Sequence, residues 1–262
     1  MTSPPPGPTI GGMTPPDVQA LCEQGQQLLM ETRYWDAERT LAQAERIAWE
    51  ARDWDTLARL YMPLQEARRQ RRQRCGEGVV ALDLLSEGAS DQIDPEQVFS
   101  NYPHGQLLVA GWGTIQPAVG VRDLAARHGR YVETFLAATY PVGSGRAVVI
   151  VPTRDVALPS ADRDWSIDEL VPNLPAHSIV LAESELPGGI RKGTTQTYAE
   201  VMAMWERLAA PFLAAADSSV DPIAKVVGYR KTIRVDYACE LAHQHLSDLA
   251  KTMDRQRRAS AS

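Results

Sequence analysis

Cysteine is scarce in this chain. Cys22, Cys75 and Cys239 are the only three in 262 residues, they lie far apart, and none forms a CxxC pair. That excludes a disulfide framework and argues against a structural zinc site. No apolar run approaches the roughly 20 residues that a bilayer span needs, so no membrane segment is expected. An excess of positive charge is also missing: the formal net charge is −6, which argues against a dominant nucleic-acid or anionic-membrane surface. HExxH, GxSxG and P-loop signatures are absent, and with them the simplest routes to a zinc hydrolase, a serine hydrolase or a nucleotide triphosphatase. The first 16 residues hold six prolines and four glycine or serine residues, with no basic start and no continuous apolar stretch. They read as a disordered tail and not as a signal peptide or anchor, and the expected compartment is the cytoplasm.

What is present begins with helices. Val18, Leu21, Cys22, Gly25, Leu28 and Leu29 recur at three and four residues, one apolar stripe on a helix from about Asp17 to Glu31. After a break at Thr32 to Tyr34, Ala37, Leu41, Ala44, Ala48 and Ala51 continue the pattern. Gly25 and Ala37 are small enough for two antiparallel helices to approach closely, with Tyr34 and Trp35 plugging the turn. A third helix starts at Asp53 and carries Leu57, Leu60, Tyr61, Leu64 and Ala67, with Pro63 as an internal kink.

At these residues the chain resembles the tetratricopeptide repeat, a helix-turn-helix unit of roughly 34 residues. The match spans about one and a half repeats and departs from the family pattern at Gln24 and Trp49. A second, shorter match runs from Tyr229 to Asp236 and on to Ala242, His243 and Leu246, with Tyr237 where the family has proline. About three stacked repeats are needed for an independent solenoid. The resemblance therefore implies that the N-terminal helices lean on the rest of the chain, on a second copy or on a partner, and it implies a role in protein–protein interaction.

Cys75-Gly76-Glu77-Gly78 ends the helical pattern and marks the best domain boundary. Val79–Leu85, Gln106–Trp112, Ala147–Val151 and Ser178–Ala182 are short aliphatic strand candidates. Pro95–Tyr102, Val119–His128 and Ile167–Val171 read as helices, and Tyr131–Tyr140 fits either type. This alternation predicts a mainly parallel, three-layer α/β sheet. Thr197–Ala216 is an amphipathic helix with Pro211 late in it. Asp221-Pro222 starts another that can run to Met253, before a frayed end from Arg255. The expected order is thus a tail (1–16), a tetratricopeptide-like module (17–75), an α/β body (76–217), a C-terminal helical segment (218–254) and a second tail (255–262).

The most suggestive ligand chemistry lies in Leu186–Thr195, between a strand and a helix. Gly188 and Gly189 permit close backbone approach, while Arg191, Lys192 and the amides near Thr194 and Thr195 can receive an anion. Its Lys-Gly-Thr-Thr order is not that of a P-loop, and an ordinary capped loop, with Glu183 or Glu185 paired to Arg191 or Lys192, accounts for the same residues. Asp83, Asp155, Glu183 and Glu185 lie near predicted strand ends, and in a parallel sheet some of them would sit on one edge, as a metal-binding or acid–base set or as loop caps. His104, His128, His177, His243 and His245 lack zinc spacing and suit neutral hydrogen-bonding roles. Gly143-Ser144-Gly145 reads as a turn. Arg68, Arg69, Arg71, Arg72 and Arg74, echoed by Arg255, Arg257 and Arg258, form a basic run best explained by the dipole at a helix C-terminus.

The reading is an α/β protein with an interaction or scaffolding role. Its contact surface is the exposed face of the N-terminal helices, with Tyr34, Trp35, Trp49, Trp54 and Tyr61 as anchors or as interface filler. The partner is an unidentified protein, self-association included, and no cofactor or metal is expected. The competing reading is an α/β ligand-binding protein or enzyme that uses the Gly188–Thr195 loop.

Overall fold

Asp17 accepts the amide of Gln19 at 3.0 Å and starts helix α1 (Val18–Met30) in the computed structural model, which describes residues 17–261. The expected tail at 1–16 lies outside the described residues. Helix α2 (Tyr34–Glu50) packs on α1 through its small residues. A Cβ on Gly25 would come within 2.5 Å of Leu41, so only glycine permits this approach, and Ala37, Ala44 and Ala48 are fully buried beside it. Asp53 caps α3 (Trp54–Gly76), taking bonds from both the amide and the hydroxyl of Thr56. This helix lies at the centre of the helical layer, and Pro63 sits inside it.

The layer is completed from the far end of the chain. Helices α8 (Pro222–Val235) and α9 (Glu240–Ala261) bring Val226, Tyr229, Ala242, Leu246 and Ala250 into the same core as Leu57, Leu60 and Leu64 of α3. The long helix expected from Pro222 to Met253 is broken at residues 236–239, where the Asp236 carboxylate takes the amide of Ala238 at 3.0 Å. The frayed end expected from Arg255 is instead the last turns of α9, and Arg258 reaches Asp254 and Asp55 there.

Six strands, β1 (Val79–Leu85), β2 (Gly105–Trp112), β3 (Val132–Val142), β4 (Gly145–Val151), β5 (Ile179–Ala182) and β6 (Arg191–Lys192), form one sheet in the order β5-β4-β3-β2-β1-β6. Parallel pairing is confined to β1–β2 and β2–β3. The other three pairs are antiparallel, which corrects the expectation of a mainly parallel sheet. The cause is local: only Gly143 and Ser144 separate β3 from β4, with Gly143 at φ +55°. A two-residue connection can join only antiparallel neighbours, whereas a parallel crossover needs a dozen residues or more. The ambiguous stretch at Tyr131–Tyr140 is thus the long strand β3.

Successive strand residues serve opposite faces. Leu107, Val109, Leu136 and Ala138 meet α4 (Pro95–Asn101) and α5 (Gln116–His128) on one side. Leu108, Ala110, Phe135 and Ala137 meet Val201, Trp205 and Leu208 of α7 (Thr195–Ser218) on the other. Burial on both faces accounts for the continuous aliphatic runs. A short helix, α6 (Ile167–Leu170), closed by a capping box between Ser166 and Glu169, lies between β4 and β5.

Candidate functional site

The arginine run on α3 is where the helical layer meets the sheet, and it is not a free basic patch. Arg69 bonds Glu66 at 2.8 Å and Arg74 bonds Glu77 at 3.0 Å, each one turn away. Arg68 and Arg71 both pair with Glu38 of α2, and the Arg71 guanidinium lies 3.4 Å above the Trp35 ring. Arg72 points inward, 1 % exposed. It reaches Glu133 of β3 at 2.7 Å and Asp236 of the α8–α9 turn at 2.6 Å. One guanidinium therefore ties together the N-terminal helices, the sheet and the C-terminal helices.

Electrostatics keep Arg72 and Glu133 ionised. Burial pushes the Glu133 carboxyl up, but the Arg72 charge, with hydrogen bonds from Arg72 and Gln106, outweighs it and leaves the pKa below the ordinary value. Burial acts to lower the pKa of Arg72, yet Glu133 and Asp236 raise it well above normal. Beside the triad, His243 is fully buried. Its Nδ1 lies 2.7 Å from the Cys239 carbonyl, so Nδ1 carries the proton and donates, and Nε2 accepts from Arg68 at 3.0 Å. Burial and the Arg68 charge push its pKa down to about 3. The Cys239 thiol is held up at about 11, chiefly by burial. A neutral histidine that charges only in strong acid, a protonated thiol and a compensated ion triad make an anchoring cluster; none of them is poised for proton transfer or nucleophilic attack at neutral pH.

A cleft of about 600 Å³ opens over this cluster between α3, α7 and the α8–α9 turn. Its walls are apolar: Tyr198, Met202, Ala209, Ala210, Leu213 and Leu241, the last 52 % exposed. Arg69, Glu206 and Glu240 stand on its rim. Arg69 is already held by Glu66, while Glu206 and Glu240 are exposed and form no ion pair among the described residues, so the rim is net acidic.

The residues singled out from sequence fall elsewhere. Arg191 and Lys192 form β6 against Val79 and Val80. Arg191 pairs with Glu200 of α7 at 2.6 Å rather than with Glu183 or Glu185. Glu183 holds Arg146, and Glu185 accepts the amide of Ala182. Thr194 caps α7: its amide donates to the Thr197 hydroxyl and its own hydroxyl accepts the amide of Thr197, so two amides of the expected anion cradle are bonded within the loop. Gly188 and Gly189 are exposed, and the Gly189 amide goes to Asp83 at 2.6 Å. Thr195 is exposed in the first turn of α7, and Asp155 is exposed on the loop after β4. Among the described residues no three His, Cys, Asp or Glu side chains gather to hold a metal. The five aromatic anchors point into the protein. Tyr34, Trp54 and Tyr61 are buried, Trp35 lies under Arg71, and Trp49 packs edge-on against Trp54.

Glu133, Asp236 and Tyr237 were not expected as site residues. The available signal was a glutamate inside the aliphatic run Val132–Val142, since a carboxylate buried in a strand requires a cationic partner. No protein-family model, curated protein or solved structure matches the chain. Among the described residues no helix is long and apolar enough to cross a membrane.

Proposed function

We propose that this protein is a protein-interaction or scaffolding element, and that it receives its partner in the cleft over Arg72. The observation that carries the reading is the contrast between an ion-paired polar floor and an open apolar wall with an acidic rim. The floor holds three parts of the chain rigidly together, and the wall leaves Leu241 and Met202 available to a partner. A groove of this kind takes an apolar side chain from a helical or extended segment. Glu206 and Glu240 select a segment in which that side chain is flanked by lysine or arginine. The paired helices α1 and α2, tetratricopeptide-like in their small-residue contact, support the same role by analogy.

Selection of a displayed peptide library on the intact chain tests this, with Ala210→Trp as counter-selection because the indole fills the cleft from an exposed helix position. The expected result is enrichment of peptides that pair an apolar residue with a basic one and lose at least tenfold in affinity for Ala210→Trp. Peptides that bind both proteins equally, or no enrichment, refute the assignment of the cleft.

A further inference from the structure

On the other side of the Arg72 triad lies a separate, partly open pocket of about 290 Å³, bounded by α2, α3, α5, β3, α7, α8 and the α8–α9 turn. Three cations line it: Arg71, Arg122 and Arg234. Arg71 is paired with Glu38, which it shares with Arg68, whereas Arg122 and Arg234, the latter exposed at the mouth, form no ion pair among the described residues. The one hydrogen bond from the Arg122 side chain runs from Nε to the carbonyl oxygen of Thr134 at 2.7 Å. Glu133 is the carboxylate on the wall, and it is already committed to Arg72 and Gln106. The cavity therefore holds more positive charge than its own acids balance.

Three aromatic residues line it beside small aliphatic ones, and the polar atoms of the three rings are unsatisfied. Trp35 Nε1, Trp205 Nε1 and the Tyr237 hydroxyl are buried with no hydrogen-bond partner, as is Arg71 Nε. Trp205 is 1 % exposed, so water does not serve its indole from the surface. Leaving such a donor buried and unpaired is costly, and native proteins leave few. Three of the four lie on tryptophan or arginine and can only donate, and the tyrosine can donate as well. Four donors without acceptors and two cations without anions call for a single kind of occupant.

We propose that this cavity binds a small oxyanion, a phosphate, a sulfate or the carboxylate head of a small metabolite, held by Arg122 and Arg234 and by the Trp35, Trp205 and Tyr237 donors. Oxyanion oxygens supply the missing acceptors, and the negative charge balances the uncompensated guanidinium groups. The rings cannot act as a cage for a cation, because guanidinium groups already lie over them: Arg71 over Trp35 and Tyr237, and Arg72 and Arg122 over Trp205. The site sits at the contact between the helical layer and the sheet, so an occupant there binds only the assembled fold. It is independent of the cleft and of the peptide-binding role.

The test uses the intact chain with inorganic phosphate, sulfate and benzoate as separate probes, each against chloride at equal ionic strength. Expected is a rise in melting temperature specific to one or more of the oxyanions, with shifts in two of the six tryptophan indole N–H resonances, assigned to Trp35 and Trp205 by Trp35→Phe and Trp205→Phe. A response to phosphate and sulfate but not benzoate identifies an inorganic or phosphoryl ligand, and the reverse a carboxylate. Tyr237→Phe removes only an unbonded hydroxyl, so it should fold normally and weaken binding about tenfold. Arg122→Gln should abolish binding. Oxyanions that stabilise no more than chloride overturn the proposal. So does stabilisation that is undiminished in Tyr237→Phe, which remains decisive if Arg122→Gln fails to fold.

Discussion

Lowering the pH from 7.5 to 5.0 forces a choice on His243. In the folded protein its imidazole is neutral: burial and Arg68 hold its pKa at about 3, against an ordinary 6.5. Charged groups press on it from several sides. Arg68 touches it from α3, and Glu38, Glu45 and Asp236 act through Arg68. Because the folded-state pKa is depressed, the unfolded chain binds the proton more readily between pH 6.5 and 3. Stability is therefore complete above about 6.5 and is lost as the pH falls. At about 1.4 kcal/mol per decade, the 1.5 decades between 6.5 and 5.0 amount to roughly 2 kcal/mol. Four other histidines are present, so a variant that cannot titrate at position 243 supplies the reference. Urea unfolding at pH 7.5, 6.5, 5.5 and 5.0 should show a loss of about 2 kcal/mol in the wild type. His243→Gln can keep both hydrogen bonds but does not titrate, and it should lose about 2 kcal/mol less over the same range. Parallel stability curves for the two proteins would refute the neutral, buried assignment of His243.

Three further outcomes are expected. Arg72→Met fills much of the same space but strands Glu133 and Asp236, and it should cost about 3–5 kcal/mol in urea denaturation; a loss under 1 kcal/mol would mean that the triad does not hold the layers together. Gly25→Ala forces a methyl group to within 2.5 Å of Leu41 and should cost about 1–3 kcal/mol by the same assay, a prediction that fails if the variant is as stable as the parent. Thr32 is exposed, β-branched and held at φ +60° after α1, so Thr32→Gly should gain about 1 kcal/mol and raise the melting temperature; an unchanged or lower melting temperature would count against strain at that residue.

Much of the layout could be read from residues close together in the chain. Asp17, Asp53 and Asp221 cap the helices expected to follow them, and β1 spans Val79–Leu85 as its aliphatic run indicates. The close approach of α1 and α2 at Gly25 was legible from side-chain size, although the residue nearest Gly25 is Leu41 and not Ala37. Pairing direction was less legible. Glu133, Thr134 and Thr139 interrupt the apolar pattern of β3, so the stretch did not declare itself a strand and the hairpin through Gly143 went unseen. The polar junction was hidden for a different reason. Arg72 and Glu133 are 61 residues apart, and nothing local marks one arginine among five as the one that turns inward. The Gly188–Thr195 loop misled in the opposite way: its residues have anion-binding chemistry, but hydrogen bonds within the loop use two of its amides, and Arg191 is drawn to Glu200.

The division of the helical layer between the two ends of the chain bears on how the protein is made. Helices α1 to α3 leave the ribosome first, yet the surface of α3 that packs on Ala242, Leu246 and Ala250 has no cover until α9 emerges about 160 residues later, on the order of ten seconds or more of synthesis. The nascent chain thus carries an exposed apolar helix face while the sheet assembles, and Arg72 waits for Asp236 over the same interval. Truncation before α9 leaves that face of α3 uncovered.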